Sequence, residues 1–207
     1  MQSAEPALGD PAGLPRSFYE PPVLEVAQAL VGCVVSRGEC AGVIVETEAY
    51  HQSEPACHAF VGLTPRTEPI FGPPGIAYVY RSYGIHALLN AVCEPEGVGA
   101  AVLIRSLEPL RGVALMRKRR DGLPERQLCS GPGKLTQALG IELSDNRSDL
   151  RTGRIVFSAR PADWRGVELV ADRRIGITKA PELPWRFTAA GNRWVSRRPD
   201  AGAVPVP

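Results

Sequence analysis

Short apolar segments separated by turns are the feature that most constrains the fold of this chain. Several of them alternate between apolar and polar residues, which is the two-residue period of a β-strand. The clearest strand segments are Cys33–Arg37, Ala41–Tyr50, Ile76–Tyr80, Ile85–Cys93 and Ala100–Ser106, and weaker ones follow at Arg154–Ser158, Val167–Val170, Arg174–Thr178 and Trp185–Thr188. Strands therefore dominate the predicted fold.

Three further segments carry helical signals. One helical face of the first carries the apolar residues Val23, Val26, Ala27, Leu30 and Val31. Gly32 is placed to end this helix, since glycine is common just after a helix. The second is a basic helix at Leu110–Arg120, and the third follows Ser130, a suitable N-cap, and ends at Gly140. The pattern predicts a mixed α/β fold with peripheral helices, and it does not define the order of the strands.

The chain is 207 residues long, and no linker or internal repeat divides it. Because a domain has roughly 150 residues, one domain at 16–197 is expected. Residues 1–15 and 198–207 are rich in proline, alanine and glycine and lack periodicity, so both are predicted to be flexible tails.

Several protein classes are excluded by what the sequence lacks. No apolar run approaches the ~18 residues of a membrane span, and the N-terminus has no basic or apolar signal region. The five cysteines are odd in number, scattered and without a CxxC pair, which argues against a disulfide framework or a CxxC zinc site. We therefore expect a cytoplasmic protein with reduced thiols and no membrane partner.

Charge is distributed unevenly along the chain. The first hundred residues carry 4 basic and 11 acidic side chains, whereas the remainder carries 20 basic and 11 acidic ones. Of the 24 basic residues, 21 are arginine. This preference suits recognition of phosphate by a planar guanidinium, and codon bias explains it equally well.

Two carboxylates share a predicted strand face in the stretch VIVETEAYH. Alternation places Ile44, Glu46, Glu48 and Tyr50 on one face and the residues between them on a core face. Two acids ~7 Å apart can divide the work of acid and base, since one stays ionised while the other is free to donate a hydrogen bond. An exposed face with solvated glutamates is the alternative.

Tyrosines form the second unusual cluster. Tyr78 and Tyr80 share one strand face and Tyr83 follows at a turn. Phenol rings suit stacking on nucleobases, although a hydrophobic core explains them too. His58 beside Cys57 offers too few ligands for a metal site. A carboxylate able to activate water, stacking rings and a basic surface together suggest hydrolysis at a nucleic-acid base or sugar.

Five blocks of sequence, spread from about Leu24 to Val195, resemble the alkyladenine (3-methyladenine) DNA glycosylase family. They are VETEAYHQSEPACHAF, TPR, FGPPGIAYVYRSYGIHALLN, VLIRSLEPL and LCSGPGKLTQALGI. The resemblance implies an α+β domain with a curved, mainly antiparallel sheet. It also implies cleavage of the N-glycosidic bond of damaged purines, with no metal or organic cofactor.

The resemblance assigns the central roles residue by residue. Glu48 matches the glutamate that activates the hydrolytic water, and Arg105 the arginine that helps to hold that water. Tyr50, His58 and Tyr80 match the side chains that sandwich the everted base.

Further residues are assigned to recognition of the base and of the duplex. Tyr83 matches the residue that fills the gap left in the duplex. Asn90 matches the asparagine that clashes with the 2-amino group of guanine, and Leu103 shares a strand face with Arg105. Backbone contacts are expected from Thr64, Arg66 and Lys134.

The activity implied by the resemblance is that of a monofunctional glycosylase acting as a monomer on double-stranded DNA. Its substrates would be 3-methyladenine, 7-methylguanine, hypoxanthine and ethenoadenine, and its product an abasic site. No lysine occupies a matching catalytic position, so strand cleavage through a Schiff base is not expected. The compact form suggests a bacterial protein working at the nucleoid.

Two departures from the family pattern and two alternative functions stay open at this point. An asparagine often follows the arginine of TPR, where this chain has Thr67-Glu68-Pro69, and the interval from Tyr50 to His58 is one residue shorter than in some members. A non-catalytic damage-binding protein would use the same rings, and a metal-dependent nuclease would need more clustered carboxylates.

Overall fold

The centre of the sheet is formed by two 12-residue strands, β2 (Cys40–His51) and β5 (Ala100–Arg111), which pair antiparallel. In the computed structural model, which describes residues 12–82 and 84–206, the other strands are β1 (Val34–Arg37), β3 (Ala77–Ser82), β4 (His86–Val92), β6 (Ile155–Ser158), β7 (Leu169–Asp172), β8 (Arg186–Ala189) and β9 (Val204–Pro205). The described residues form one sheet in the order β3-β4-β5-β2-β8-β7-β9, with β1 paired to β2 and β6 to β1. These pairings are all antiparallel, which confirms the expected mainly antiparallel sheet.

Helices lie at the periphery of the sheet, as expected for a mixed α+β domain. They are α1 (Val23–Leu30), α2 (Val113–Arg119), α3 (Glu125–Leu128) and α4 (Pro132–Leu139). The main core contains Leu30 of α1, Ile104 of β5 and Leu135 of α4, all fully buried. Helix α4 approaches β4 closely at Gly133, where an added Cβ would lie 2.8 Å from the Cβ of His86. This close packing places the start of α4 beside the start of β4.

A β-bulge in β2 changes which residues share a face. The register with β5 shifts between Ile44 and Glu46, and an extra residue in a strand reverses the alternation beyond it. As a result Ile44 packs in the main core with Ala49, whereas Val45 packs with Trp194 in a separate cluster. The expectation that Ile44 shares a face with Glu46 is therefore wrong.

Five other local features of the structure differ from what the sequence predicted. The predicted helix Leu110–Arg120 begins only at Val113, because β5 continues to Arg111 in order to pair with Ala41. The N-cap of α4 is Gly131 rather than Ser130, α3 was not predicted, and Arg174–Thr178 forms no strand. The segment predicted as a C-terminal tail includes β9, which pairs with β7.

The loop between β2 and β3 folds over one end of the sheet. It contains two short 3-10 helices, His58–Val61 and Glu68–Phe71. A second, smaller apolar cluster beneath it joins Cys57 and Ile70 of the loop to Tyr78 of β3 and Ala101 of β5. This cluster fixes the loop, and with it His58, against the sheet.

Two sequence-based exclusions can be compared with the structure. No helix in the described part of the chain is long and apolar enough to cross a membrane. All five cysteines are buried and free of disulfide bonds.

Candidate active site

Glu48 lies fully buried near the end of β2, and its carboxylate accepts two hydrogen bonds and forms one ion pair. The Tyr50 hydroxyl donates to Oε2 at 2.8 Å, and the Ile175 amide donates to Oε1 at 2.6 Å. Nη1 of Arg105 forms the ion pair, 3.1 Å from Oε2. Because the guanidinium and the amide can only donate, both favour the acceptor, ionised form of the carboxylate.

The two glutamates of the strand differ in their surroundings. Glu46 is held by Nε of Arg105 at 3.0 Å and Nε of Arg186 at 2.8 Å, and it also accepts from the amide and hydroxyl of Ser196. These four hydrogen bonds engage both of its oxygens, which indicates a structural role for Glu46. Glu48 is the carboxylate placed next to the cavity described below.

Burial raises the pKa of Glu48 above its ordinary value, and Arg105 opposes that rise most strongly. A raised pKa makes the carboxylate a stronger base than a solvated glutamate, which suits proton abstraction. Burial alone lowers the pKa of Arg105, but Glu48 and Glu46 outweigh it and raise the pKa, so the guanidinium is charged.

A cavity of about 610 Å³ opens directly beside this carboxylate. Its volume is within the range of small-ligand sites, ~300–1,000 Å³. Every residue that the sequence analysis assigned to the base pocket lines it, together with the arginine: Tyr50, His58, Tyr80, Asn90, Leu103 and Arg105. Glu48 lies behind Tyr50 and Arg105 and is not itself part of the wall.

Aromatic rings form one wall of the cavity. The rings of Tyr78 and Tyr80 stack with centroids 5.2 Å apart, and the His58 ring meets Tyr80 edge-on at 4.6 Å. Nδ1 of His58 lies 3.1 Å from the Tyr78 hydroxyl. Burial, assisted by Arg66, lowers the pKa of His58, and burial raises the pKa of Tyr80 to about 12. Both rings are therefore neutral at physiological pH.

Two residues on paired strands form the floor of the cavity. Asn90 of β4 is opposite Leu103 of β5 in the sheet register. Its side chain is buried, and Nδ2 donates to the carbonyl oxygen of Tyr78 at 3.0 Å. This bond fixes the amide in one position.

The residues predicted to contact the DNA backbone lie in different settings. Arg66 lines the cavity, with its guanidinium carbon 5.9 Å from the Tyr80 ring centroid and Nη2 3.4 Å from Nε2 of His58. Lys134, at the start of α4, is exposed at the rim. The Thr64 hydroxyl lies 2.9 Å from that of Thr67 and stabilises the loop instead of pointing free.

The loop that follows TPR, where the chain departs from the family pattern, is held by an ion pair. The carboxylate of Glu68 pairs with Arg147, which ties this loop to the segment before β6.

Tyr83, the predicted intercalating residue, lies outside the described residues. In the described part of the chain no group of three or more His, Cys, Asp or Glu is placed to hold a metal ion.

Four residues of the site were not predicted from the sequence. Arg81 and Arg120 add positive charge to the cavity lining, and the cluster of basic residues before Asp121 was the available signal for the second. Ile175 contributes its backbone amide, for which a sequence carries no signal. Arg174, which precedes it, is buried against Tyr50, and it fell in a segment predicted as a strand.

Comparison with known proteins adds an independent line of support. Residues 17–193 match the family model described as methylpurine-DNA glycosylase. A protein of Rhodopseudomonas palustris, provisionally named 3-methyladenine DNA glycosylase, is 53% identical over 93% of this chain and 91% of its own length. Proteins with the same provisional name are 50% identical in Bradyrhizobium diazoefficiens, over 95% of this chain and 96% of theirs, and 46% identical in Carboxydothermus hydrogenoformans, over 89% and 99%.

The family model covers most of the chain, and each of these relatives aligns with nearly all of this chain. The matched region also includes β2, β5 and the loop that together build the cavity. The chain therefore belongs to the methylpurine-DNA glycosylase family and is a DNA glycosylase, a hydrolase of N-glycosyl bonds.

Proposed function

We propose that this protein removes damaged purines from double-stranded DNA by everting the nucleotide and hydrolysing its N-glycosidic bond with a water activated by Glu48. One observation carries the proposal: a buried carboxylate held by Arg105, Tyr50 and Ile175 adjoins a ring-lined cavity of about 610 Å³. The carboxylate, the arginine and the rings all come from one chain, which supports action as a monomer.

The cavity binds the everted base by stacking. Tyr50 contacts one face of the purine, and His58 with Tyr80 contacts the other. Base–aromatic stacking contributes ~1–3 kcal/mol per base, which offsets the few kcal/mol needed to extrude a nucleotide. Damaged bases that pair poorly cost less to extrude, and this difference contributes to selectivity.

Access of water to Glu48 requires one of its covering groups to move. The carboxylate has no exposed surface, and the groups that cover it belong to Tyr50, Arg105 and Ile175, which all line the cavity; the Tyr50 hydroxyl is the uncharged side-chain group among them. Entry of a base displaces this hydroxyl, and water then binds to Oε2 beside Arg105. The Ile175 amide keeps the carboxylate in place throughout.

Hydrolysis then proceeds as the bond to the base weakens. Positive charge develops at C1′ as the purine leaves with the bonding electrons, and the negative carboxylate stabilises this oxocarbenium-like sugar. Water adds at C1′ and its proton passes to Glu48. Purines alkylated at N3 or N7 are cationic and leave as neutral bases without protonation. His58 is unsuited to protonate neutral lesions because its pKa is lowered.

Selectivity against guanine and contact with the duplex come from the floor and the rim. Asn90 occupies the floor, where the 2-amino group of guanine would clash with it. Positive side chains at the rim, Arg66 and Lys134 among them, contact phosphates, so that affinity falls with salt. Among the described residues of the lining the one amine is Lys134, exposed at the rim, which supports hydrolysis without a Schiff base.

The test is identification of the released bases by HPLC. The protein is incubated with duplexes containing methylated purines or hypoxanthine, with and without a chelator. Free modified bases and intact strands bearing abasic sites are expected in both conditions. Strand nicking that a chelator prevents, with no free base, would instead identify a nuclease.

A further inference from the structure

Arg174 is a buried arginine whose guanidinium connects separate parts of the site. Its Nη1 donates to the carbonyl oxygen of Ala49 at 3.0 Å and to Oε1 of Glu54 at 2.6 Å, and its Nη2 donates to Oε2 of Glu54 at 3.0 Å. The side chain has no exposed surface. Such a bidentate pair fixes both orientation and distance, because the planar guanidinium matches the carboxylate.

The same guanidinium lies behind the Tyr50 ring. Its carbon is 4.7 Å from the centroid of Tyr50 and 5.4 Å from that of Trp185, so the cation is held near both rings. Tyr50 lines the cavity and donates to Glu48 through its hydroxyl. The position of Arg174 therefore limits where the Tyr50 ring and its hydroxyl can lie.

Two residues connect Arg174 to other parts of the site: the next residue in the sequence and the partner in its ion pair. The next residue, Ile175, donates its amide to Glu48 at 2.6 Å. On the other side, Oε2 of Glu54 accepts from the amide of Ala56 at 2.8 Å, two residues before His58. One side chain thus connects the carboxylate's backbone donor, one stacking ring and the loop that carries the opposite ring.

We infer that Arg174 is a positioning residue that holds Tyr50, the Ile175 amide and the His58 loop in register around the everted base. This inference rests on the proposed function, because it assigns Arg174 to the reaction at Glu48. Lysine at this position would keep the charge but lose the planar fork, so Glu54 and the Ala49 carbonyl could not both be held in the same way.

The experiment compares Arg174→Lys with Arg173→Lys, the same change at the adjacent exposed arginine. The readout is the single-turnover rate constant for base release at saturating enzyme, which does not depend on the fraction of protein that is folded. We expect Arg174→Lys to lower it by roughly 10- to 100-fold, the range produced when catalytic groups are misplaced by up to about 1 Å. Arg173→Lys is expected to match the unmodified protein, and affinity for undamaged duplex is expected to be unchanged in both.

Glu54→Gln provides a second variant that stays informative if Arg174→Lys does not fold. It keeps the shape of the side chain but removes the negative charge that pairs with Arg174. We therefore expect this variant, too, to have a smaller rate constant for base release than the unmodified protein. If both variants fold, combining them should slow the reaction no more than the slower single change, because both act on one contact. Additive losses would contradict a shared role.

The outcomes separate the inference from the function on which it rests. If the unmodified protein releases damaged bases and either folded variant does so at the same rate, the role of Arg174 is refuted while the proposed function stands. If the unmodified protein releases none, both are refuted.

Discussion

Replacing Arg105 by methionine tests how strongly Glu46 and Glu48 depend on the cation that they share. Methionine fills a similar volume but leaves Glu46 and Glu48 without the guanidinium that lies 3.0 and 3.1 Å from their oxygens. Removing one partner of a buried ion pair costs ~3–5 kcal/mol, because the remaining charge stays buried. This is a large part of the ~5–15 kcal/mol by which a typical domain is stable.

The control makes the same chemical change on the surface. Arg117 lies 3.8 Å from Glu125, and both side chains are nearly half exposed. Exposed pairs contribute ~0–1 kcal/mol, so Arg117→Met should change stability little. Urea unfolding at pH 7, followed by tryptophan fluorescence, gives the free energy of unfolding of both variants.

The effect of Arg105→Met should also depend on pH. The pKa of Glu48 is already raised by burial, and loss of the opposing Arg105 raises it further. A carboxyl whose folded pKa exceeds its unfolded value of about 4.3 binds more protons in the folded state, so stability falls as pH rises between the two values. The destabilisation should therefore be smaller near pH 4 than at pH 7.

A second substitution checks the cause of the loss. Adding Glu48→Gln to Arg105→Met removes the charge of one carboxylate and should restore part of the stability at pH 7. A loss at pH 7 no greater than that of Arg117→Met, or no recovery in the double variant, would refute the reasoning.

Three further predictions concern selectivity, DNA binding and packing. Asn90→Ser should raise the release of guanine relative to hypoxanthine by at least ~10-fold, measured by HPLC, because it shortens the side chain at the cavity floor; an unchanged ratio would contradict the steric gate. Lys134→Ala should reduce the slope of log affinity against log salt by about 1, measured by fluorescence anisotropy, and an identical slope would remove this residue from the phosphate contacts. Gly99→Ala should destabilise by ~1–3 kcal/mol in thermal unfolding, because its Cβ would lie 2.5 Å from that of Ala59, whereas Gly166→Ala meets nothing within 4 Å and serves as the control.

The sequence predicted those parts of the site that depend on local alternation. Glu48 and Tyr50 are two residues apart on one strand, and their predicted common face is confirmed by a 2.8 Å hydrogen bond between them. The predicted pocket residues also line one cavity, although their roles stay predictions. Alternation failed at Ile44 because the bulge after it is set by pairing with β5, which is distant in sequence.

Long-range contacts account for most of what the sequence did not predict. The helix expected from Leu110 begins later because Arg111 pairs with Ala41, and propensity within the segment carries no information about that partner. Arg174 lies 120 residues from Glu54, its partner in the bidentate pair, and Ile175 acts through its amide, so neither forms a recognisable local motif.

The most direct test of the central claim is the single-turnover rate of base release by Glu48→Gln. Glutamine keeps the shape of the side chain but cannot accept a proton from water, so we expect a loss of at least ~10²–10⁴-fold, with binding of lesion-containing DNA retained. Glu108→Gln, the same change at a partly exposed glutamate of β5, is the matched control and should leave the rate unchanged. Excision by Glu48→Gln at the rate of the unmodified protein would contradict the assignment of Glu48 as the base that activates water.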